Sequence, residues 1–279
     1  MNKKHTTCRL PHSPRYQVWS KQLLQERIEK DKVVEQYLIR TKTYLLNANT
    51  LAIYEFQQQP FLGIYKSVIF DCQEGIILCQ QSSSTLITTF AQKALLGGLE
   101  FQRELADKLN LKGHNVIATG NLAYFSLQSY NSSNVDWIAL HQISKFKFLN
   151  SATVIFKTIN YNGHRYSFIF DKHSKYLFEK ISNALFFNHV ISKLLANHAA
   201  IYFGITLSKK RGPSLIDQSD YFHPHKAIGD LSLKSIISAV NQKRQLRYVH
   251  YLADEFEMPY LIEANKTVYY LSKRPDTLY

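Results

Sequence analysis

The stretch ATVIFKTINYNGHRYSFIF, from Ala152 to Phe170, decides the fold class of this chain. Runs of β-branched and aromatic residues lie on both sides of Asn162-Gly163. This pair is typical of a type I′ turn, because both central residues of such a turn take positive φ. Ala152–Tyr161 and His164–Phe170 are therefore predicted to form an antiparallel β-hairpin.

Segments of similar composition precede the hairpin from Thr43 onward. They are short, rich in β-branched and aromatic residues, and separated by polar or glycine-containing breaks, which is typical of strands. The predicted strands are Leu51–Phe56, Ile64–Phe70, Ile76–Gln80, Thr85–Phe90, Val116–Ala118, Leu122–Leu127 and Trp137–Phe148. Helices are predicted over Ala91–Asn110, interrupted at Gly97-Gly98, and over Ser174–Asn197 with one apolar stripe. Runs of strands followed by helices predict an α+β fold with a mainly antiparallel β core and packed helices.

Both ends of the chain lie outside this predicted core. Ser13-Pro14 favours a helix start, and the helical spacing that follows predicts an N-terminal helix over Arg15–Arg40. After a linker at Arg211–Ser214, we predict a helix over Ser232–Lys243 and then a hairpin. Its strand pieces are Gln245–Leu252, Pro259–Ala264 and Val268–Leu271. The predicted parts are an N-terminal arm and helix (1–42), an α+β domain (43–210) and a C-terminal helix-hairpin appendage (211–279).

The composition indicates a folded protein with an unusual charge distribution. Of the 279 residues 45% are hydrophobic, which is enough for a packed core and excludes global disorder. The chain carries 34 Lys and Arg against 21 Asp and Glu, a net charge of +13. The excess lies mainly between residues 137 and 210, where ten basic residues meet only Asp171 and Glu179. Such a block indicates a face that contacts nucleic acid or an anionic membrane, the alternative being a solvated surface without a partner.

No feature of the sequence indicates secretion or a membrane span. The N-terminus lacks the apolar core of a signal peptide, and Ala184–Leu207 contains polar and charged residues such as Lys193, which favours a core-facing helix. The three cysteines, Cys8, Cys72 and Cys79, do not form a disulfide framework. Cys72 and Cys79 lie on adjacent predicted strands and are expected to be half-buried thiols. We therefore expect a cytoplasmic protein with no membrane partner.

The sequence contains no recognisable catalytic motif, neither a glycine-rich phosphate loop nor a G-x-S-x-G elbow. His5, Cys8 and His12 have ligand-like spacing but no fourth ligand, and His223-Pro224-His225 has no Cys or carboxylate cluster nearby. His141, on a predicted strand, is expected to be a hydrogen-bonded packing residue. The prediction is therefore a protein that is no enzyme and holds no cofactor or metal.

The middle of the chain resembles a known family through a distinctive Trp/His strand. Leu122–Ser129 (LAYFSLQS) is an apolar strand, a polar loop follows, and Asp136–Ile143 (DWIALHQI) carries the pattern Trp-Ile-x-x-His-aliphatic. Tyr44–Ile53 (YLLNANTLAI) lies upstream, and the hairpin and the helix containing Leu177-Phe178-Glu179 lie downstream. Through these segments, residues 44–193 resemble the bacterial competence transcription factor family, ComK.

This resemblance implies a transcriptional activator of DNA-uptake genes, bound to the nucleoid in the cytoplasm. Family members bind paired AT-rich boxes from the minor groove, as dimers that assemble into tetramers. Two positions depart from the pattern, with Ala91-Gln92-Lys93 in place of Gly-Arg-Lys and Ser126 in place of Pro. The family's degradation-adaptor motif has no secure match near the C-terminus, so an adaptor–protease regulator is retained only as a candidate partner.

The predicted DNA-binding residues are cations of the basic block, because narrow A·T minor grooves attract cationic side chains. Lys145 and Lys147 are two apart on one strand and share a face. Arg165 follows the hairpin turn and is the candidate for entering the groove, since a guanidinium is more weakly hydrated than an ammonium. Lys172 and Lys175 flank a helix start whose amides favour phosphate. The set is completed by Lys180, Lys193, Lys209, Lys210 and Arg211, and we expect it to line one outward surface.

Two other functions stay open. One is a protein-interaction module, a regulator that has lost DNA contact and binds a partner or itself, which the departure at Ala91-Gln92-Lys93 favours. The other is a ligand-sensing regulator, because residues 231–279 weakly resemble the opening of a WYL domain through Ile236–Arg244, Pro259-Tyr260-Leu261 and Val268–Leu271. WYL domains accompany transcription regulators and sense ligands.

Overall fold

The fold is α+β with a mainly antiparallel β core, which confirms the predicted class. The computed structural model describes residues 8–95, 97–111, 115–128, 135–171, 173, 175–206, 212–218, 231–263 and 266. The chain divides into two compact units, Met1–Gly229 and Asp230–Tyr279.

The strands of the first unit pair into two sheets. The larger sheet contains β2 (Leu38–Thr41), β3 (Thr50–Glu55), β4 (Ser67–Asp71), β5 (Gly75–Cys79), β6 (Val116–Ala118), β7 (Ala123–Ser126) and β8 (Trp137–Ala139). Its order is β2-β5-β4-β3-β8-β7-β6. The smaller sheet contains β1 (Val18–Trp19), β9 (Ile143–Phe148), β10 (Val154–Thr158) and β11 (Ser167–Phe170), in the order β1-β11-β10-β9. Neighbouring strands are antiparallel except β2 with β5 and β1 with β11.

The two sheets pack face to face through aromatic side chains. The ring centroids of Tyr54 and Phe170 lie 4.8 Å apart, and those of Phe70 and Phe168 lie 4.9 Å apart. The other face of the larger sheet is covered by a helix, α3 (Ser83–Ala94), within one buried apolar cluster. Since successive strand side chains point to opposite faces, this double cover explains why every residue of β3 is buried.

The hairpin predicted around Asn162-Gly163 is present in the structure. β10 and β11 are antiparallel, and a bridge between Tyr161 and His164 closes the loop. Asn162 has φ 52° and Gly163 has φ 91°, the positive values that a type I′ turn requires.

The predicted strand over Thr85–Phe90 is wrong, because these residues belong to helix α3. The Ser82 side chain caps this helix by accepting a hydrogen bond from the Thr85 amide, a local signal that overrides the β-branched composition. The predicted break at Gly97-Gly98 is confirmed, since α3 ends at Ala94 and α4 (Gly98–Lys108) begins after it.

The predicted single N-terminal helix over Arg15–Arg40 is also wrong. A turn of 3-10 helix, strand β1, two helices, α1 (Lys21–Lys30) and α2 (Lys32–Glu35), and strand β2 occupy this range. Ser20 caps α1, and Asp31 ends α1 and caps α2 through the Val33 amide. The N-terminal segment therefore contributes a strand to each sheet.

Helix α5 (Leu177–Phe203) starts three residues later and ends six residues later than the predicted Ser174–Asn197. Its buried Asn188 accepts a hydrogen bond from the Gly120 amide (3.0 Å) and donates one to the Gly120 carbonyl (3.1 Å). A Cβ at Gly120 would lie 3.0 Å from Ser192 Cα, so glycine permits this close approach. Among the described helices, none combines the length and apolar character needed to cross a bilayer.

Among its described residues, the second unit contains one long helix, α6 (Leu233–Glu255), with a capping box between Ser232 and Ser235. The predicted helix start is confirmed, but the predicted strand over Gln245–Leu252 is wrong because the helix continues through it. Partly buried apolar residues recur there at helical spacing, at Leu246, Val249 and Leu252. Residues 260–263 are helical too, which overturns the described part of the predicted strand Pro259–Ala264, and Val268–Leu271 lies outside the described residues.

Candidate nucleic-acid interface

Three lysines share the outer face of the smaller sheet. Lys145 and Lys157 are Cα partners across β9 and β10, and Lys147 follows Lys145 by two residues. The intervening Phe146 and Phe156 point to the other side, where their ring centroids lie 5.8 Å apart. All three lysines are exposed, and we call Lys145, Lys147 and Lys157 the lysine face.

The strands that form the sheet of the lysine face carry no acidic residue, and Asp171 directly follows β11. The strands β1, β9, β10 and β11 contain no Asp or Glu. None of the three lysines pairs with a carboxylate among the residues that the structure describes. Like charges directly opposite each other in antiparallel strands are destabilising. The pair Lys145–Lys157 therefore keeps an electrostatic repulsion that a bound polyanion would relieve.

Arg165 extends the lysine face toward the hairpin turn. Ser167, the Cα partner of Lys157, is two residues after Arg165, and the intervening Tyr166 is fully buried. Strand alternation therefore places the exposed Arg165 on the same side of the sheet as Lys157. The turn is held by Asn160, whose Oδ1 accepts a hydrogen bond from the Gly163 amide at 2.7 Å. The structure thus brings together Lys145, Lys147 and Arg165 of the predicted set.

The cations of α5 are spread along the helix. Phe178 lies 6.1 Å from Phe146 between ring centroids, so the first turn of α5, with Lys175 and Lys180 close in sequence, lies beside β9. Lys193 follows Lys180 by 13 residues. This spacing places the two side chains about 20 Å apart along the axis and about 140° apart around it. Lys193 therefore does not share a face with Lys180.

Four predicted cations cannot be placed on this surface. Lys172, Lys209, Lys210 and Arg211 lie outside the described residues. The single continuous surface expected from the sequence is therefore represented in the structure by the lysine face and Arg165, because the start of α5 packs against Phe146, whose ring points away from the lysine face.

The start of α5 differs from the predicted anion-binding helix terminus. The helix begins at Leu177 rather than Ser174, and its N-cap residue Tyr176 has φ 57° and makes no side-chain cap. Glu179 lies in the first turn, where its carboxylate already contributes negative charge near the helix N-terminus. A phosphate contact of Lys175 at this terminus stays a prediction.

Sequence reasoning missed Lys157, although the signal was present. The Asn162-Gly163 turn sets the register of the hairpin, and Lys157 is the exposed position of β10 between two buried ones, Phe156 and Thr158. Its cross-strand partner Lys145 requires the pairing of β9 with β10, which separate strand predictions do not supply.

His141 is a buried packing residue, as expected, although it lies in a 3-10 turn after β8 rather than on a strand. Its Nδ1 accepts a hydrogen bond from the Ala123 amide at 3.2 Å, and its ring lies edge-on to Tyr124. Burial lowers the pKa of His141 to about 4, so the imidazole is neutral at neutral pH. His141 therefore ties the turn after β8 to β7 in the core.

The cysteines differ from their predicted arrangement. All three are free and buried, so the prediction that Cys72 and Cys79 are half-buried is wrong. Cys72 follows β4 and Cys79 ends β5, at opposite ends of that hairpin. Instead, the Arg9 amide donates to the Cys72 carbonyl at 2.7 Å, which brings Cys8 toward Cys72. Burial raises the pKa of Cys72 to about 12, which makes its thiol unreactive.

The candidate metal ligands are not assembled in the described residues. His12 stacks on His164 with ring centroids 4.3 Å apart, while His5 and His223-Pro224-His225 lie outside the described residues. No group of three His, Cys, Asp or Glu in the described ranges is arranged to hold a metal ion.

A buried acidic cluster has a structural explanation. Asp136 Oδ1 lies 2.9 Å from Lys21 Nζ and accepts a hydrogen bond from the Glu55 amide at 2.8 Å. The Glu55 carboxylate accepts hydrogen bonds from the amides of Gln57 and Ser83. Burial raises the pKa of both carboxyl groups. The cluster joins β3 to the start of α3 and to α1, and its oxygens are used by backbone amides.

No protein-family model, curated protein or solved structure matches this chain. The resemblance to the ComK family therefore stays a prediction, and so does the weaker resemblance to a WYL domain.

Proposed function

We propose that this chain binds double-stranded DNA through the lysine face and Arg165 and regulates transcription. The observation that carries the proposal is the cross-strand pair Lys145–Lys157. Two exposed lysines lie directly opposite each other, with Lys147 beside them and no Asp or Glu on the strands of their sheet. An arrangement that repels itself in the free protein gains stability from a ligand with regularly spaced negative charges.

The shape of the surface favours backbone and groove contacts over base-specific reading. The lysines lie on a sheet rather than on a helix that would fill the major groove. Cations on a rigid scaffold suit the narrow A·T minor groove, whose negative potential is strong. Together with the resemblance to ComK, this supports an activator of DNA-uptake genes that prefers AT-rich sites and acts at the nucleoid.

The test is duplex binding measured by fluorescence anisotropy across a salt series, with AT-rich and GC-rich duplexes of equal length. If each of the three lysines of the lysine face and Arg165 neutralises one phosphate, the logarithm of affinity falls with the logarithm of salt concentration with a slope of about −3.6. A minor-groove ligand should compete. Absence of binding to either duplex at low salt would exclude the proposal.

A matched pair of variants locates the site. The charge reversal K145E/K147E/K157E should abolish binding without unfolding the chain, since all three side chains are exposed. The control K30E/K66E/K93E makes the same change in net charge at three exposed lysines outside the smaller sheet and should retain binding. Equal losses in both variants would show that only the net charge matters and that the lysine face is not the site.

A protein-interaction surface is the second candidate, favoured by an exposed apolar patch beside β9. Tyr176 is 77% exposed and Phe178 is 54% exposed, and the edge strand β9 contributes Phe148. We propose a second copy of the chain as its partner, in line with the predicted homo-oligomer. Sedimentation of F178D should show weaker self-association than wild type, whereas F203D, at the exposed far end of α5, should associate as wild type does.

A further inference from the structure

The turn between β9 and β10 exposes an apolar side chain at its first residue, directly after β9. Residues 147–152 are exposed in succession, and Leu149 is 51% exposed. The turn is fixed by its own hydrogen bonds. The Leu149 amide donates to the Thr153 carbonyl at 2.9 Å, and Asn150 Oδ1 accepts from the amides of Ala152 (2.8 Å) and Thr153 (2.7 Å). The exposed Leu149 therefore lies on a backbone that is fixed by hydrogen bonds.

This leucine lies at one end of the row of cations. Lys147, two residues before it, belongs to the lysine face. The register of β10 with β11 places Arg165 beside the end of β10 that is farthest from Thr153. At the rise of an extended strand, the distance from Thr153 to that position is about 20 Å. Exposed leucines are ordinary on protein surfaces when they stand alone. Leu149 differs because it ends a row of cations on the same sheet.

We propose that Leu149 inserts between adjacent base pairs of the bound duplex from the minor groove and bends the DNA. The inference rests on the proposed DNA-binding function. Phosphate contacts by the lysine face would hold the backbone, and the leucine would occupy the opened step. Apolar wedges of this kind unstack a base step and kink the duplex toward the major groove, and the cost is offset by contacts that the bend permits.

The position also predicts the kind of step that is opened. Pyrimidine–purine steps such as TA unstack most easily. An AT-rich site that contains a TA step should therefore bind more tightly than an A-tract of the same length, because a stiff A-tract resists the wedge. The preference should depend on Leu149.

The experiment measures bending by energy transfer between dyes at the two ends of an AT-rich duplex with a central TA step. Full-length wild type should shorten the end-to-end distance. L149A should bind with the same salt slope but lose the shortening and the preference for the TA step. The control L45A removes a leucine of similar exposure, 47%, outside the smaller sheet and should bend DNA as wild type does.

The possible failures are distinguishable. If wild type binds no duplex, both the proposed function and the insertion of Leu149 are wrong. If wild type binds without bending, or if L149A bends as strongly as wild type, the wedge is wrong while DNA binding stands. If L45A loses the bend together with L149A, the effect is not specific to the turn and the inference is wrong.

Discussion

The two sheets of this protein differ in how many of their faces are covered. Every residue of β3, β4 and β5 in the larger sheet is buried, because α3 lies on one face and the smaller sheet on the other. In β9 of the smaller sheet, the lysines alternate with aromatic residues. The doubly covered strands are mostly apolar, and their few polar residues, such as Glu55, are buried and hydrogen-bonded, whereas the singly covered sheet has a face that is open to solvent. Lys145, Lys147 and Lys157, which pair with no carboxylate in the described part of the chain, lie on that free face.

The largest expected effect comes from the face that the two sheets share. Phe168 is fully buried on the inner side of β11, 4.9 Å from Phe70 between ring centroids. Phe168→Ala should lower the free energy of unfolding by about 3–5 kcal/mol, because it removes a large apolar group and leaves a cavity. Urea denaturation measures this change. Lys147→Ala, on the opposite face of the same sheet, should change it by less than about 0.5 kcal/mol. Similar losses in the two variants would contradict the contrast between the faces.

The fold class could be predicted because the strongest local signals in the sequence specify structures that tertiary contacts do not change. The hairpin around Asn162-Gly163 and the break at Gly97-Gly98 are set by backbone conformations that few residues adopt, so no distant contact overrides them. Thr85–Phe90 contains β-branched residues, whose preference for strands is weaker. This segment is helical because Ser82 caps the helix that contains it.

Errors concentrate where pairing with distant strands is needed. The segment before Arg40 has helical spacing, yet its ends pair as β1 with β11 and as β2 with β5. Parallel pairing with a partner far along the chain leaves no local signature. Lys157 was missed for the same reason, because its place in the candidate site depends on its pairing with Lys145 on another strand. Three of the four residues of the candidate site could thus be selected from the charge block, and the fourth, Lys157, requires the pairing of the strands.

An intermediate effect is expected at the turn that leads from the larger sheet to the smaller one. Burial lowers the pKa of His141 from an ordinary 6.5 to about 4. Between these two pH values, His141 binds a proton in the unfolded chain but stays neutral in the folded chain. His141 therefore does not lower the free energy of unfolding above about pH 6.5, and lowers it progressively as the pH falls to 4. At 1.36 kcal/mol per pKa unit, the loss reaches about 3 kcal/mol.

Urea denaturation across this pH range tests the contribution of His141. His141→Asn keeps an acceptor near the position of Nδ1 and should flatten the pH dependence of the free energy of unfolding relative to wild type. His250→Asn, at an exposed position of α6, should leave the slope unchanged. A slope in His141→Asn equal to that of wild type would show that the buried imidazole does not control acid sensitivity.

The smallest effect on stability is expected for a substitution in the lysine face, which should change the free energy of unfolding and the affinity for DNA in opposite directions. Lys157→Glu converts the like-charged pair with Lys145 into an opposite-charged one, so the free energy of unfolding should rise by about 0.2–1 kcal/mol. The same change should weaken DNA binding and reduce the salt slope by about 0.9, because one phosphate contact is lost. Lys66→Glu, at an exposed lysine outside the smaller sheet, should alter neither quantity appreciably. A gain in stability together with a loss of binding means that the free protein carries a repulsion that its ligand relieves. A fall in both quantities would mean that Lys157 supports the fold, and the lysine face would then lose the argument that the proposed function rests on.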